Sequence, residues 1–184
     1  MFAEVHNKPI YDPEAPTDLY TDGSCTDNGR SFAAAGWGVH VHNSDQLGEY
    51  FGALPGQVQS NNRAELVAVE AALQLAWNST HEHCRVLADS NYVKLGASND
   101  TDAWVWRSAL GVHGWLDRWA RNGWRTASGN RVRHSDIWKR VRRWLTLFDH
   151  SLTRRVEVLH VRAHTGINGK TTKTISKWTP YAFR

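Results

Sequence analysis

The stretch Asn61-Asn-Arg-Ala-Glu-Leu-Val-Ala-Val-Glu-Ala-Ala-Leu-Gln-Leu-Ala-Trp77, followed by Arg85-Val-Leu-Ala-Asp89, decides the fold class, because a helical period here separates extended segments. Leu66, Val69, Leu73 and Ala76 recur at helical spacing and line one face of a helix over 63–77, with Asn61 as its N-cap. Glu65 falls in the first turns of that helix, on a different face from Leu66. Residues 85–89 then read as a strand ending in a carboxylate, with Ser90 starting another helix. A strand reached through a helix is expected to pair parallel, and a carboxylate at its C-terminal end points into a crevice.

Upstream, residues 19–22 form a short extended run closed by Gly23. Ala35, Trp37, Val39 and Val41 alternate with Gly36, Gly38, His40 and His42, the period of a strand with one buried face. A third strand over 49–54 stops at Pro55-Gly56, and the short polar connections between these runs predict an antiparallel meander. Downstream, Ser98-Asn-Asp-Thr-Asp-Ala103 reads as a loop, and Trp104, Trp106, Trp115, Trp119 and Trp124 crowd into a basic stretch expected to be helical. Ser135 is the expected cap of a helix running to about Phe148, and residues 155–161 supply a fifth strand. The expected architecture is therefore α/β: a five-stranded mixed sheet, meander plus parallel strands, flanked by helices.

A chain of 184 residues with 41% hydrophobic and 22% charged composition suits one globular domain. Residues 1–16, with Pro9, Pro13 and Pro16 and no hydrophobic period, read as a flexible lead-in; 17–170 form the domain, and 171–184 a divergent tail. The formal charge of +4 favours an anionic partner without separating nucleic acid from a membrane surface. Cys25 and Cys84 are too few for a disulfide framework and are expected to be free thiols of a reducing compartment. With neither the h-region of a secretory signal nor a long apolar run, a soluble intracellular protein is expected, cytoplasm and nucleus not being distinguished.

Asp22, Glu65 and Asp89 stand where structured elements begin or end. Taken singly, each reads as a helix cap or solvated charge as readily as a functional group. If strands one and four are neighbours and the helix crosses them, the three meet, and such a cluster is tolerable at neutral pH when hard cations such as Mg²⁺ or Mn²⁺ neutralise it. Two ions about 3.5–4 Å apart can activate a water and stabilise a leaving oxygen in phosphodiester cleavage.

The contexts of these acids are Tyr20-Thr-Asp-Gly-Ser-Cys25, Asn61-Asn-Arg-Ala-Glu-Leu66 and Ala88-Asp-Ser-Asn-Tyr92, followed by Trp119-Ala-Arg-Asn-Gly-Trp124 and Val161-Arg-Ala-His-Thr-Gly166. With these five motifs in order, the sequence from about Asp18 to Gly169 resembles ribonuclease H of the cellular type 1. The resemblance implies the ribonuclease H-like fold and endonucleolytic cleavage of the RNA strand of RNA/DNA hybrids with two Mg²⁺ ions. It implies that Asp22, Glu65 and Asp89 are metal ligands and that His164 is the mobile histidine that helps turnover. It also implies that Asn28, Asn61 and Asn62 contact the hybrid's minor groove, where 2′-hydroxyls mark RNA. An RNA/DNA hybrid rather than a membrane is the expected partner, and a monomer the default state.

The chain departs from the family pattern at two places. The fourth carboxylate is expected at Thr174, inside Gly169-Lys-Thr-Thr-Lys-Thr174, and no Asp or Glu follows Glu157, so realignment cannot restore it. The water-activating metal position is expected to be weakened, and Lys170 and Lys173 add opposing charge. The expectation is a hydrolase with reduced activity and greater metal demand; the alternatives are a hybrid-binding protein that no longer cuts, or another polynucleotidyl transferase such as an exonuclease or integrase. The family's pocket for a DNA phosphate falls here on Val58, Ser60 and His134, without its arginine.

Between 115 and 143, Arg118, Arg121, Arg125, Arg131, Arg133, Lys139, Arg140, Arg142 and Arg143 face only Asp117 and Asp136. This stretch resembles the family's basic handle, whose cations meet phosphates without reading sequence. Trp115 and Trp119 are candidate substrate contacts, while most of the handle's tryptophans are expected to form its own small core. Residues 98–114 have no clear counterpart in the family. His81, His83 and Cys84 lack a fourth ligand and read as a surface loop rather than a zinc site, and His40 and His42, on one face of a strand, read as solvent-facing rather than as metal ligands. The sequon Asn78-Ser-Thr80 carries little meaning inside a cell.

Overall fold

The computed structural model describes residues 15–42, 48–97, 106–107 and 115–161. Three antiparallel strands open the fold: β1 (Thr17–Thr26), β2 (Ala34–His42) and β3 (Gly48–Ala53). Helix α1 (Asn61–Asn78) carries the chain across the sheet to β4 (His83–Ala88), which pairs parallel with β1. Helices α2 (Asn91–Ala97), α3 (Trp115–Arg121) and α4 (Ser135–Asp149) precede β6 (Arg155–His160), which pairs parallel with β4.

The five expected strands are thus present in a mixed sheet. A sixth, β5 (Trp106–Arg107), pairs antiparallel with β6 and extends the order to β3-β2-β1-β4-β6-β5. This corrects the expectation of helix around Trp106: backbone groups at the free edge of β6 are satisfied by a neighbouring extended segment. Residues 1–14 of the 1–16 lead-in and the tail over 171–184 lie outside the described residues, as do most of 98–114. No helix among the described residues is long and apolar enough to cross a membrane.

One face of the sheet is buried under α1. Leu19, Val39, Val41 and Val86 meet Leu66, Val69, Leu73 and Ala76 in a single core cluster, to which α4 adds Ile137, Trp138, Val141, Leu145 and Phe148. Trp138 is fully buried, and α2 can approach it because residue 96 is glycine: a Cβ there would collide with the indole. Gly96 is therefore a packing requirement rather than a turn.

Three local expectations change. Strand β1 does not close at Gly23 but continues to Thr26, paired with Ala34–Ala35 of β2. Gly23 is needed instead for contact, since a Cβ there would collide with the backbone of Ala64 and Glu65. The cap of α1 is Ser60, whose hydroxyl accepts from the Arg63 N–H at 3.3 Å, so Asn61 begins the helix. The capping position of α4 is His134, in the left-handed region at φ 53°, with Ser135 as the first helical residue.

Candidate active site

The sheet brings Asp22 and Asp89 together. Thr21 of β1 is in register with Ala88 of β4, so the residues following each, Asp22 and Asp89, stand side by side where the parallel pairing ends. Glu65 arrives from α1, whose first turns press directly on Gly23. One carboxylate oxygen from each of Asp22, Glu65 and Asp89 lies within 4.8 Å of the others.

This proximity is electrostatically costly. Burial, then the charges of Asp22 and Asp89, push the Glu65 carboxyl up to about 9, against only a stabilising hydrogen bond from the Gly23 backbone. Asp22 is raised as well, by burial first and by Asp89 second. Glu65 Oε2 is buried without a hydrogen-bond partner. A buried carboxylate oxygen left unpaired among other carboxylates is what a divalent cation would satisfy, and an all-oxygen donor set suits a hard ion. The residues present therefore fit a metal centre.

Residues 14–173 match the sequence profile of the RNase H family. A ribonuclease H of Neisseria meningitidis serogroup C is 37% identical over 131 residues, covering 70% of this chain and 73% of that protein. The chain belongs to the RNase H family. A ribonuclease H of a Cyanothece strain is 33% identical over 152 residues, covering 82% of this chain and 80% of the relative. A solved RNase H domain of PFV, only 20% identical, shares the fold at a TM-score of 0.62 over 90% of each chain. RNase H proteins use divalent metal ions, and the cluster of Asp22, Glu65 and Asp89 is the place in this member where such ions fit.

Around this RNase H centre the other candidate residues are distributed unevenly. Asn61 and Asn62 are exposed at the start of α1, directly before Arg63-Ala64-Glu65, and Asn28 is exposed in the β1–β2 turn. Ser60 caps α1 and Val58 is exposed beside it. His134 is held by ring contact with Tyr92 at 5.8 Å, and burial followed by the nearby Arg63 and Arg133 cations keeps its pKa below the ordinary imidazole value. At neutral pH it therefore offers one donor and one acceptor rather than a charge. His164 and Thr174 lie outside the described residues.

The handle's tryptophans divide by burial. Trp119 is 9% exposed and packs between Trp115 and Trp138, in the handle's own core. Trp115 keeps 37% of its surface and carries Arg118 over its ring at 5.1 Å. The handle's cations divide too: Arg140 donates twice to Glu70 and Arg142 donates to Asp117 at 3.0 Å, whereas Lys139 lies over Trp124.

Sequence reasoning missed Arg63. Its guanidinium makes two hydrogen bonds to Asp136, at 3.0 and 2.6 Å, and holds that carboxyl below its usual range. The pair ties the start of α1, two residues from Glu65, to the start of α4. Tyr92 makes a second tie, donating to the Arg133 carbonyl at 2.7 Å and accepting from Trp138 Nε1 at 3.3 Å. Neither contact has a local signal, because each joins residues more than forty positions apart.

Proposed function

We propose that this protein cleaves the RNA strand of RNA/DNA hybrids endonucleolytically at Asp22, Glu65 and Asp89, which hold two divalent cations, Mg²⁺ or Mn²⁺. The observation that carries this reading is the convergence of the three carboxylates, with Glu65 Oε2 buried and unpaired. Bound there, the cations supply an activated water and charge stabilisation for the leaving oxygen. The chain's own part is to position them. Asp22 and Asp89 are fixed by the register of adjacent strands, and Glu65 by the contact of α1 with Gly23.

Substrate is held on both sides of that centre. Asn28, Asn61 and Asn62 present amides that can donate to and accept from 2′-hydroxyls and base edges. Ser60 and neutral His134 offer hydrogen bonds to a phosphate, with no arginine at Val58 to add charge. Trp115 offers a flat face, and the handle cations without carboxylate partners among the described residues, such as Lys139 and Arg143, meet the backbone of the second strand. The working unit spans 17–170, and His164 assists turnover.

Thr174 in place of a carboxylate weakens the water-activating metal position, so cleavage is slow and demands more metal. That substitution also favours a second reading, a protein that binds hybrids without cutting them. An end-labelled hybrid, incubated over a Mg²⁺ and Mn²⁺ series with wild type, Asp22→Asn and Thr174→Asp, separates the two. The hydrolase reading expects RNA-strand fragments from wild type, none from Asp22→Asn and more from Thr174→Asp. Binding with no cleavage in either metal, by wild type and by Thr174→Asp alike, replaces it with the second reading.

A further inference from the structure

His40 and His42 stand two residues apart on β2, on the sheet face opposite the one that buries Val39 and Val41 under α1. Their rings lie nearly parallel, at 29°, with centroids 6.4 Å apart. Directly across on β3, in register with His40, is Glu49, whose Oε1 is 3.6 Å from His40 Nδ1. That distance is too long for a hydrogen bond, and His40 Nδ1 is left buried and without a partner. Burial, its largest influence, keeps the His40 imidazole below its ordinary pKa, so the ring is neutral at neutral pH and one of its two nitrogens carries a lone pair.

We propose that His40, His42 and Glu49 form a binding site for one borderline divalent cation, Zn²⁺ or Ni²⁺ by class, separate from the carboxylate centre. Two imidazoles and one carboxylate make a donor set that prefers such ions, whereas Mg²⁺ favours all-oxygen sites. The required metal–nitrogen distance is about 2.0–2.1 Å. His40 and Glu49 already converge; rotation of the half-exposed His42 ring from its stacked position toward them completes three ligands and leaves a position for water. The neighbouring groups do not compete. Tyr20 stands opposite His40 with ring centroids 6.3 Å apart, and Asp18, opposite His42, is occupied by a bidentate Arg85 at 2.6 and 2.7 Å.

The site would join β2 to β3 at the sheet edge, and its measurement does not depend on catalysis. The full chain is stripped with EDTA, returned to millimolar Mg²⁺ so that the carboxylate centre holds a hard cation, and titrated with Zn²⁺ against a chromophoric chelator. One Zn²⁺ per chain is expected. Loss of an outer hydrogen-bond partner already weakens metal sites by about 10–100-fold, so losing a ligand in His42→Ala or Glu49→Gln should weaken Zn²⁺ at least that much. Both side chains sit at or near the exposed edge of the sheet, and circular dichroism should show both variants folded, with Mg²⁺-supported activity unchanged. Asp22→Asn and His83→Ala should bind Zn²⁺ as wild type does. Zn²⁺ binding that survives both His42→Ala and Glu49→Gln, that disappears in Asp22→Asn or His83→Ala, or that is absent from wild type overturns the proposal.

Discussion

Replacing Glu65 by Gln should stabilise the metal-free protein at neutral pH while abolishing its function. In the folded chain the Glu65 carboxyl is pushed up to about 9, from an ordinary 4.5. Below pH 4.5 both folded and unfolded states hold the proton, and the group contributes nothing. Above that, the unfolded chain releases it and the folded chain keeps it, so stability falls as pH rises, by about 1.36 kcal/mol per pH unit. At pH 7 the gap from 4.5 costs about 3 kcal/mol, a figure that depends only on the folded pKa lying above 7. Glutamine fills nearly the same volume and carries no such cost. Urea unfolding in EDTA should therefore find Glu65→Gln level with wild type near pH 4.5 and about 3 kcal/mol more stable at pH 7, with a residual slope from Asp22 in both proteins. Mg²⁺ should narrow the difference by stabilising wild type alone. A difference independent of pH, or a glutamine variant less stable than wild type at pH 7, would refute the account of the cluster as strained and built for cations.

Gly23→Ala should separate β1 from α1, lowering stability by about 1–3 kcal/mol as overpacking does and reducing hybrid cleavage more than hybrid binding; cleavage kinetics alongside thermal unfolding check this. Trp119→Ala should cost about 3–5 kcal/mol of stability, whereas Trp115→Ala should leave unfolding unchanged and weaken hybrid binding, as filter binding would show. Lys139→Ala or Arg143→Ala should lower the slope of log K against log salt by about 1, while Arg142→Ala, already paired with Asp117, should change it less. Gly96→Ala should destabilise the fold through its collision with Trp138, and a compensating Trp138→Phe should recover part of the loss in a double-mutant cycle.

Much of this protein was legible from short-range pattern. The switch from alternating residues over 35–42 to helical spacing over 63–77 depends on neighbours along the chain, and so do the existence and order of the strands and helices. The carboxylates were legible because each sits within a distinctive motif, although Asp22 lies inside β1 and not at its end. The absence of a carboxylate after Glu157 is a property of the sequence alone. Element ends were less legible. Ser60 rather than Asn61 caps α1, and His134 precedes α4, because the choice between adjacent polar residues rests on backbone angles set by what the helices pack against.

What the sequence by itself determined was which elements form and which carboxylates are the candidates for the chemistry, since local period and residue type are short-range properties. Only the tertiary structure decided that Gly23 serves contact with Glu65 rather than a turn, that Trp119 is core and Trp115 surface, and that Arg63 joins α1 to α4. It alone set His40 beside Glu49 and added β5 to the sheet. Each of these depends on register and close approach between segments distant in the chain, where the deciding term is steric fit or pairing of charges and not the propensity of any one residue.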